Sequence, residues 1–336
     1  MKKSNIKRIS ELAGVSTTAV SFVLNNRPGV SEKTRENILR IIAEENYTPN
    51  VNSRRLILRR SFNIMVVIDP ICSLDNLFYS TILQSIIAGG EALGYHVVIS
   101  TYRPEFRSSS AAAAIQQKNV DGAIFLSDIS EEAHAYLSES AVPFVVVDSH
   151  RASPGYPTVR SDYHASAETA ARFLISCGHK KIAFMGYGNR PDYYLETFGG
   201  FRDIMEAHGL VIRPEWVFAD PIDAETARLA MQRLLALPER PTALLCACDM
   251  FALVGMNCAQ QSGLRIPEDL SFCGIDDIVY AQFAVPPLTT VWIDSQEMGR
   301  QAVSLLNELI EKTDGAVSRL VRSDKLIRRQ SVAVLT

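Results

Sequence analysis

Apolar positions recur at helical spacing over the first fifty residues and change to short continuous runs after residue 62. Ile6, Ile9, Leu12 and Ala13 share one helical face, and Gly14 breaks that helix. Ser16 caps a second helix carrying Ala19, Val20, Val23 and Leu24, which ends at Asn25, Asn26, Pro28 and Gly29. Ser31 caps a third, with Ile38, Ile41 and Ile42 turned inward, and Pro49 ends it. A helix, a tight glycine turn and a capped second helix form the helix-turn-helix pattern, assigned here to residues 1–48. Residues 49–61 are basic and poor in core-type residues, as in a linker that becomes helical only on a partner.

Beyond residue 62 the apolar runs at 63–69, 96–100, 121–127, 144–148, 181–186, 243–249 and 270–276 read as strands. Helix-length amphipathic stretches separate them, near Tyr79–Leu93, Ala111–Lys118, Ala165–Cys177, Phe198–His208, Ala224–Leu237 and Met250–Gln261. Strands apolar throughout predict sheets covered on both faces, and the alternation with helices predicts parallel βαβ units. The units are too many for one sheet. They divide near residue 161 into two α/β lobes, which would close a cleft over a ligand at the carboxyl ends of the strands.

Charge separates along the same boundary. Residues 1–60 hold 12 Lys and Arg against 5 Asp and Glu, whereas the whole 336-residue chain has a net charge of -3. A basic head on an acidic body fits a nucleic-acid-binding module joined to a sensor. No apolar run is long enough to span a bilayer, and no apolar signal core follows the basic start, so a cytoplasmic protein is expected. Cys72, Cys177, Cys246, Cys248, Cys258 and Cys273 contain no CxxC pair and read as buried thiols. Cys246 and Cys248 lie in a strand whose side chains alternate between faces, and are expected to be poor joint metal ligands. GxSxG, GxxxxGK[ST] and HExxH motifs are absent, Gly186 and Gly188 do not extend to GxGxxG, and the six histidines show no ligand spacing. No enzymatic activity, metal or cofactor is expected.

The segment ELAGVSTTAVSFVLNNRPGVSEKTRENILRIIAEENYTPN (11–50) resembles the LacI/GalR family of bacterial regulators. The resemblance extends along the chain through ISCGHKKIAFMG (175–186), SGLRIPEDLSFCGIDD (262–277) and PPLTTVWID (286–294). It implies an α/β protein with a three-helix helix-turn-helix domain, a hinge helix at 49–61 and a two-lobed periplasmic-binding-protein-like sensor at 62–336. The implied N-lobe spans about 62–161 and 293–322, and the C-lobe about 162–292 and 323–336. The implied function is a repressor, a homodimer reading a pseudo-palindromic double-stranded operator under control of a sugar-like small molecule. Thr17, Thr18 and Phe22 match base-reading positions. Phe22 stands where relatives often carry a polar residue, and either meets a thymine methyl or packs internally. Asn5, Ser16, Ser21, Asn25, Ser31 and Thr34 match phosphate contacts, with local capping as the alternative for each hydroxyl. Asn5, Arg8 and Ser10 replace the usual Thr, Asp and Ala; Arg8 either adds charge beside DNA or faces solvent. Asn50, Ser53, Arg54, Arg55 and Leu56 match the hinge, with Leu56 in the place of a wedge that unstacks the central base step.

The resemblance places effector contacts at Asp276 and Phe78, the latter either against the ligand or in the core. Asn76, Asp148, Asp162, Arg190 and Asp249 complete the candidate set, together with two positions that depart from the family: Thr197 replaces an effector-binding Arg and Cys248 an Asn. Asp69, Asp148, Asp249 and Asp276 end apolar runs, and each either caps the next helix or faces the cleft. Other readings are a solute-binding protein, disfavoured by the basic head and missing export signal, and control by a protein partner, for which no separate sign exists.

Overall fold

The computed structural model describes residues 6–24, 28–45, 60–69, 76–151, 155–312, 318–322 and 325–335. It divides into two compact units, Met1–Phe62 and Asn63–Thr336. In the first, α1 (Ile6–Ala13), α2 (Thr17–Leu24) and α3 (Glu32–Glu44) enclose a small core of Ile9, Val20, Val23, Ile38 and Ile41. Ser31 caps α3, its side chain accepting from the Thr34 N–H. Two details differ from expectation. Leu12 is exposed, because in a helix of eight residues the contact stripe runs through Ile9 and leaves Leu12 at its edge. Arg8 faces solvent but is not a loose charge: its guanidinium makes two hydrogen bonds, 2.9 and 3.1 Å, to Glu45 at the end of α3.

The second unit contains two six-stranded sheets. The elements feeding the first are β1 (Asn63–Ile68), α4 (Leu77–Ala92), β2 (His96–Thr101), α5 (Ser110–Gln116), β3 (Gly122–Leu126), α6 (Glu131–Ser140), β4 (Phe144–Val147) and β5 (Thr158–Ser161). The chain then builds the second sheet through α7 (Tyr163–Ser176), β6 (Ile182–Met185), α8 (Pro191–Ala207), β7 (Val217–Phe218), α9 (Ala224–Leu235), β8 (Ala243–Cys246), α10 (Asp249–Gln261), β9 (Ser271–Asp276) and β10 (Thr289–Trp292). It returns through α11 (Ser295–Glu311) to β11 (Ser318–Val321) in the first sheet and β12 (Lys325–Ile327) in the second. The strand orders are β11-β5-β4-β3-β1-β2 and β12-β10-β9-β8-β6-β7. All pairs are parallel except β12, which runs antiparallel to β10.

The central strands are apolar on both sides because both sides are covered. In β1, Ile64, Val66 and Ile68 face a core shared with α4 and α11, while Met65 and Val67 face one shared with α5 and α6. Edge strand β2 departs from that expectation, with Val98 and Ile99 exposed. The run at 243–249 also corrects one inference about the thiols. A period of two places Cys246 and Cys248 on the same face, both in the core between β8, α9 and α10. Cys177, Cys246, Cys248, Cys258 and Cys273 are buried and unbridged, while Cys72 lies outside the described residues. Strands β5, β7 and β10 to β12 and helices α6 and α11 were not anticipated from the pattern. The short strands among them carry too few apolar residues to stand out, and are held by pairing to neighbours already in the sheet. Helices α7 and α8 approach closely at Gly200, where a Cβ would collide with the His164 carbonyl.

Candidate functional site

The head presents the start of α2. Ser16 Oγ accepts from the Ala19 N–H at 3.1 Å, which satisfies a free donor of the first turn and aims Thr17 and Thr18 outward. Both threonines are exposed, while Val20 and Val23 anchor the opposite face. The half-buried Phe22 ring lies over Gly29, where an added Cβ would sit 3.2 Å from Cε2; it therefore packs on the turn that follows its helix. Ser21 is half-buried. Ser31 Oγ and Thr34 Oγ1 lie 2.8 Å apart at the start of α3, so both hydroxyls are engaged in the cap. Asn5, Asn25, Asn50, Ser53, Arg54, Arg55 and Leu56, and with them nearly all of the expected hinge, lie outside the described residues.

The second unit places its site by topology. Strand order reverses between β1 and β3 in one sheet and between β6 and β8 in the other. At such a point the connections leave toward opposite faces and open a crevice at the carboxyl ends of the strands. A cavity of about 230 Å³ lies there, lined by Asn76, Leu77 and Tyr79 from the first lobe, with Tyr187, Arg190, Ile222, Asp223, Cys248, Phe251, Asp276 and Ile278 among those from the second. Sequence reasoning named Asn76, Arg190, Cys248 and Asp276 of these. It missed Tyr79, Tyr187, Asp223 and Phe251, although Tyr187 and Phe251 stand just past β6 and β8, where the strand-end rule would have found them. Phe78 faces a neighbouring cavity that shares Leu77, Asp276 and Ile278 with the first. Asn76 also caps α4, accepting from the Phe78 N–H at 3.0 Å.

Three other candidates do not line these cavities. Thr197 is fully buried, and its hydroxyl donates back to the Tyr193 carbonyl one helical turn earlier. Asp162 caps α7, accepting from the Ala165 N–H at 2.9 Å. Asp249 lies behind the wall, accepting from the Ile278 N–H at 2.9 Å and the Thr290 hydroxyl at 2.5 Å. A Cβ at Gly274 would fall on this carboxyl, so β9 needs glycine there.

Asp148 forms the centre of a latch between lobes rather than a helix cap. Its carboxylate accepts from Tyr79 of α4, from Tyr163 of α7 at 2.7 Å and from Arg190 at 3.3 Å. Arg190 also reaches Ser127 of the first lobe at 3.3 Å. His150, which carried no signal in the sequence, lies buried beside it. Its Nε2 is 3.5 Å from Asp148, an electrostatic contact without hydrogen-bond alignment, and its Nδ1 is 3.2 Å from Glu196, which also binds Arg160 at 2.6 Å. Burial works against both charges, but the His150 and Arg190 cations and the Tyr163 hydroxyl prevail and hold Asp148 well below the usual carboxylate range. Against the same burial, Asp148 and Glu196 raise the His150 imidazole above its ordinary value.

The other two carboxyls shift upward. Burial, with Asp277 nearby, pushes Asp249 up to about 8 despite its two donors. Burial together with Asp249 and Asp148 raises Asp276 well above the carboxylate range. An acid whose folded value is raised contributes stability that is complete below its unfolded value and is lost as pH rises through the folded one. Stability should therefore decline between about pH 4 and pH 8. Asp249→Asn keeps an oxygen to accept from the Ile278 N–H, turns its NH2 to the Thr290 hydroxyl oxygen and removes that ionisation. Its gain over the parent is expected to grow with pH, by on the order of 4 kcal/mol between pH 5 and pH 8. Melting curves at the two pH values check this. Asp276 and His150 are shifted in the same direction, so the slope falls without vanishing.

Two family profiles match the chain: bacterial regulatory proteins of the lacI family over residues 5–50, and the periplasmic binding protein-like domain over 171–332. The HTH-type transcriptional repressor PurR of Haemophilus influenzae (strain PittEE) is 33% identical, covering 98% of each chain. The ribose operon repressor of Haemophilus influenzae (strain ATCC 51907) is 29% identical over the same shares. Among solved structures, a lac repressor dimer bound to operator and the anti-inducer ONPF superposes with a TM-score of 0.85 at 25% identity, covering 99% of this chain and 100% of that one. A complex of the transcriptional regulator CelR with cellobiose gives 0.74 at 27% identity, covering 98% and 99%.

Proposed function

Since this chain belongs to the LacI/GalR family of bacterial transcriptional regulators, DNA-binding repressors rather than enzymes, we propose that it acts as a homodimeric operator-binding repressor whose cleft takes a sugar-like effector. The observation that carries the reading is the joining, in one chain, of a capped α2 presenting Thr17 and Thr18 to a two-lobed unit enclosing a cavity at its strand ends. Residues 1–48 form the reading head, 49–61 the hinge and 62–336 the sensor. Thr17 and Thr18 reach base edges. Ser16, Ser21, Ser31 and Thr34 contact phosphates together with Asn5 and Asn25, and Phe22 supports the helix while exposing part of its ring. Asn50, Ser53, Arg54, Arg55 and Leu56 serve the minor groove between half-sites. Effector contacts come from Asn76, Arg190, Cys248 and Asp276, with Phe78 beside them and Asp148 holding Arg190 in place.

Val279, Tyr280, Phe283 and Val285 form an exposed apolar stretch after β9, with Phe283 70% and Val285 78% exposed, which supports pairing of two sensors. No described helix is long and apolar enough to cross a membrane, and the site of action is the cytoplasm, where the operator is. The effector acts by its difference in affinity for the open and closed lobes, which changes the spacing and folding of the two hinges.

Selection of bound duplexes from a random pool, with full-length protein at about physiological salt, tests the reading. The expected result is a pseudo-palindrome with half-sites about one helical turn apart and a flexible central step. Recovery of no motif, both with the protein alone and with added cell metabolites, overturns it.

A further inference from the structure

The charges around the cleft do not balance. Among the described residues Arg190 is the only Lys or Arg lining the 230 Å³ cavity, and it is already bound to Asp148 and Ser127. Two carboxyls face the same space. Asp223, at the start of α9, is held ionised by the Thr226 hydroxyl and N–H that it accepts from. Asp276, at the end of β9, accepts from the Asp249 N–H but has no ion-pair partner among the described residues. Two more carboxyls stand behind it, Asp249 protonated at neutral pH and Asp148 paired with Arg190 and His150. Asp249 approaches from α10 and Asp148 from β4, while Asp277 is neutralised by Arg329 at 2.6 Å. The remaining titratable groups facing Asp276 are the hydroxyls of Tyr163, Tyr187 and Tyr193 and the Cys248 thiol, all pushed upward by burial and therefore neutral. The walls are aromatic: Tyr79, Tyr187 and Phe251 line the cavity, with the Tyr187 and Phe251 rings 4.4 Å apart.

A cleft with carboxyls that lack a direct cationic partner and with aromatic faces favours a cation, which gains both ion pairing and attraction to the ring faces. We propose that the effector is a compact hydroxylated amine, whose protonated nitrogen pairs with the Asp276 carboxylate between the rings of Tyr79, Tyr187 and Phe251. The inference rests on the cleft being the effector site, and it narrows the sugar-like class to members carrying an amine. Asn76 and the Tyr187 hydroxyl are left to meet neutral hydroxyls, and the cavity is sized for about one sugar ring. In the free protein, burial and the neighbouring acids keep a proton on Asp276. When the cation binds, that proton leaves to solvent and the carboxylate pairs with the ligand. Affinity for an amine should therefore rise with pH until the amine itself loses its proton, whereas a neutral analogue should show no such rise.

The test is thermal-shift and calorimetric titration of the full-length dimer with size-matched probes. Glucosamine, galactosamine and mannosamine are compared with the parent hexoses, the N-acetyl derivatives and the corresponding sugar acids. The expected result is a saturable rise in Tm with at least one amine, and release of close to one proton per ligand, read from calorimetry in buffers of different ionisation enthalpy. Asp276→Asn, which preserves shape, should weaken that binding about 30-fold or more. Asp223→Asn provides a second variant in case the first fails to fold, with a smaller loss expected. The proposal is overturned if no amine shifts Tm, if neutral or acidic analogues bind as well, or if Asp276→Asn keeps amine binding. Failure of the regulator reading itself would appear separately, as absence of a selected operator.

Discussion

Ile38→Ala abolishes operator binding while leaving the melting of the sensor unit unchanged: this is the largest effect expected from a single substitution outside the cleft. Among the described residues of the head five apolar side chains are buried, Ile9, Val20, Val23, Ile38 and Ile41, and Ile38 is 0% exposed. Truncating a buried isoleucine to alanine costs about 2–5 kcal/mol, through lost transfer energy and the cavity left behind. A domain of this size has a comparable total stability, because small domains bury a smaller fraction of their surface. The head should therefore unfold, taking the orientation of Thr17 and Thr18 with it. Fluorescence anisotropy on the selected duplex should show a loss of at least about 30-fold, converted from the lower end of that range. Leu39 is the matched control. It neighbours Ile38 in sequence but is 49% exposed, so Leu39→Ala should change head stability by no more than about 0.5 kcal/mol. Because the two units are separately compact, calorimetry of Ile38→Ala should retain the transition of residues 63–336. Unimpaired operator binding by Ile38→Ala would remove the head from the reading mechanism.

The second large effect is expected at Asp148. Its carboxylate is buried and faces Arg190 and His150, with two tyrosine hydroxyls donating to it. Asp148→Ala leaves buried cations without a counter-charge, at a cost of about 3–5 kcal/mol. The backbone there is left-handed, with φ of 62°, which alanine tolerates less well than aspartate or asparagine. The sensor's Tm should fall by roughly 10 °C. Asp148→Asn keeps the backbone geometry and an acceptor for one of the two tyrosines but not the charge, and should fall between the parent and Asp148→Ala. The pH dependence separates charge from packing. Asp148 and Glu196 raise His150, so its contribution is complete below the ordinary histidine range and is lost as pH rises through the raised value. In Asp148→Asn, one of the two acids that raise His150 is gone and this loss should move to lower pH. Melting curves across pH 5 to 9 check it, and an unshifted profile would show that the latch acts through shape alone. Arg190 links Asp148 to the cavity wall, so unlatching should also weaken effector binding.

Much of this organisation was legible in the residues. Ser16 and Ser31 announce the helices they cap, because a short hydroxyl side chain at that position serves free backbone donors wherever the helix lies. The double coverage of β1 and β8 follows from their uninterrupted apolar runs, and the strand-end crevice follows from the alternation of strands and helices. The edge position of β2 was not legible, since exposure there depends on which strand fails to arrive beside it.

The aspartates mark the limit most clearly. Asp148, Asp249 and Asp276 look alike in sequence, each ending an apolar strand-like run. That context is local, and it determined only that a carboxyl stands at the carboxyl end of a strand. Tertiary structure decided what each meets, through residues far away in the chain. Arg190 and Tyr163 come to Asp148 from the other lobe and hold it ionised. Thr290 and Ile278 close over Asp249 and remove it from the cleft. Among the described residues no cation pairs directly with Asp276, although Arg190 acts on it from the same cavity; it stays open to that space, and burial raises its affinity for a proton. Local sequence determines helix caps and strand periodicity because both depend on a few neighbouring residues. The ionisation and reach of a buried carboxyl depend on charges and donors brought from distant segments, and these are set only by the fold.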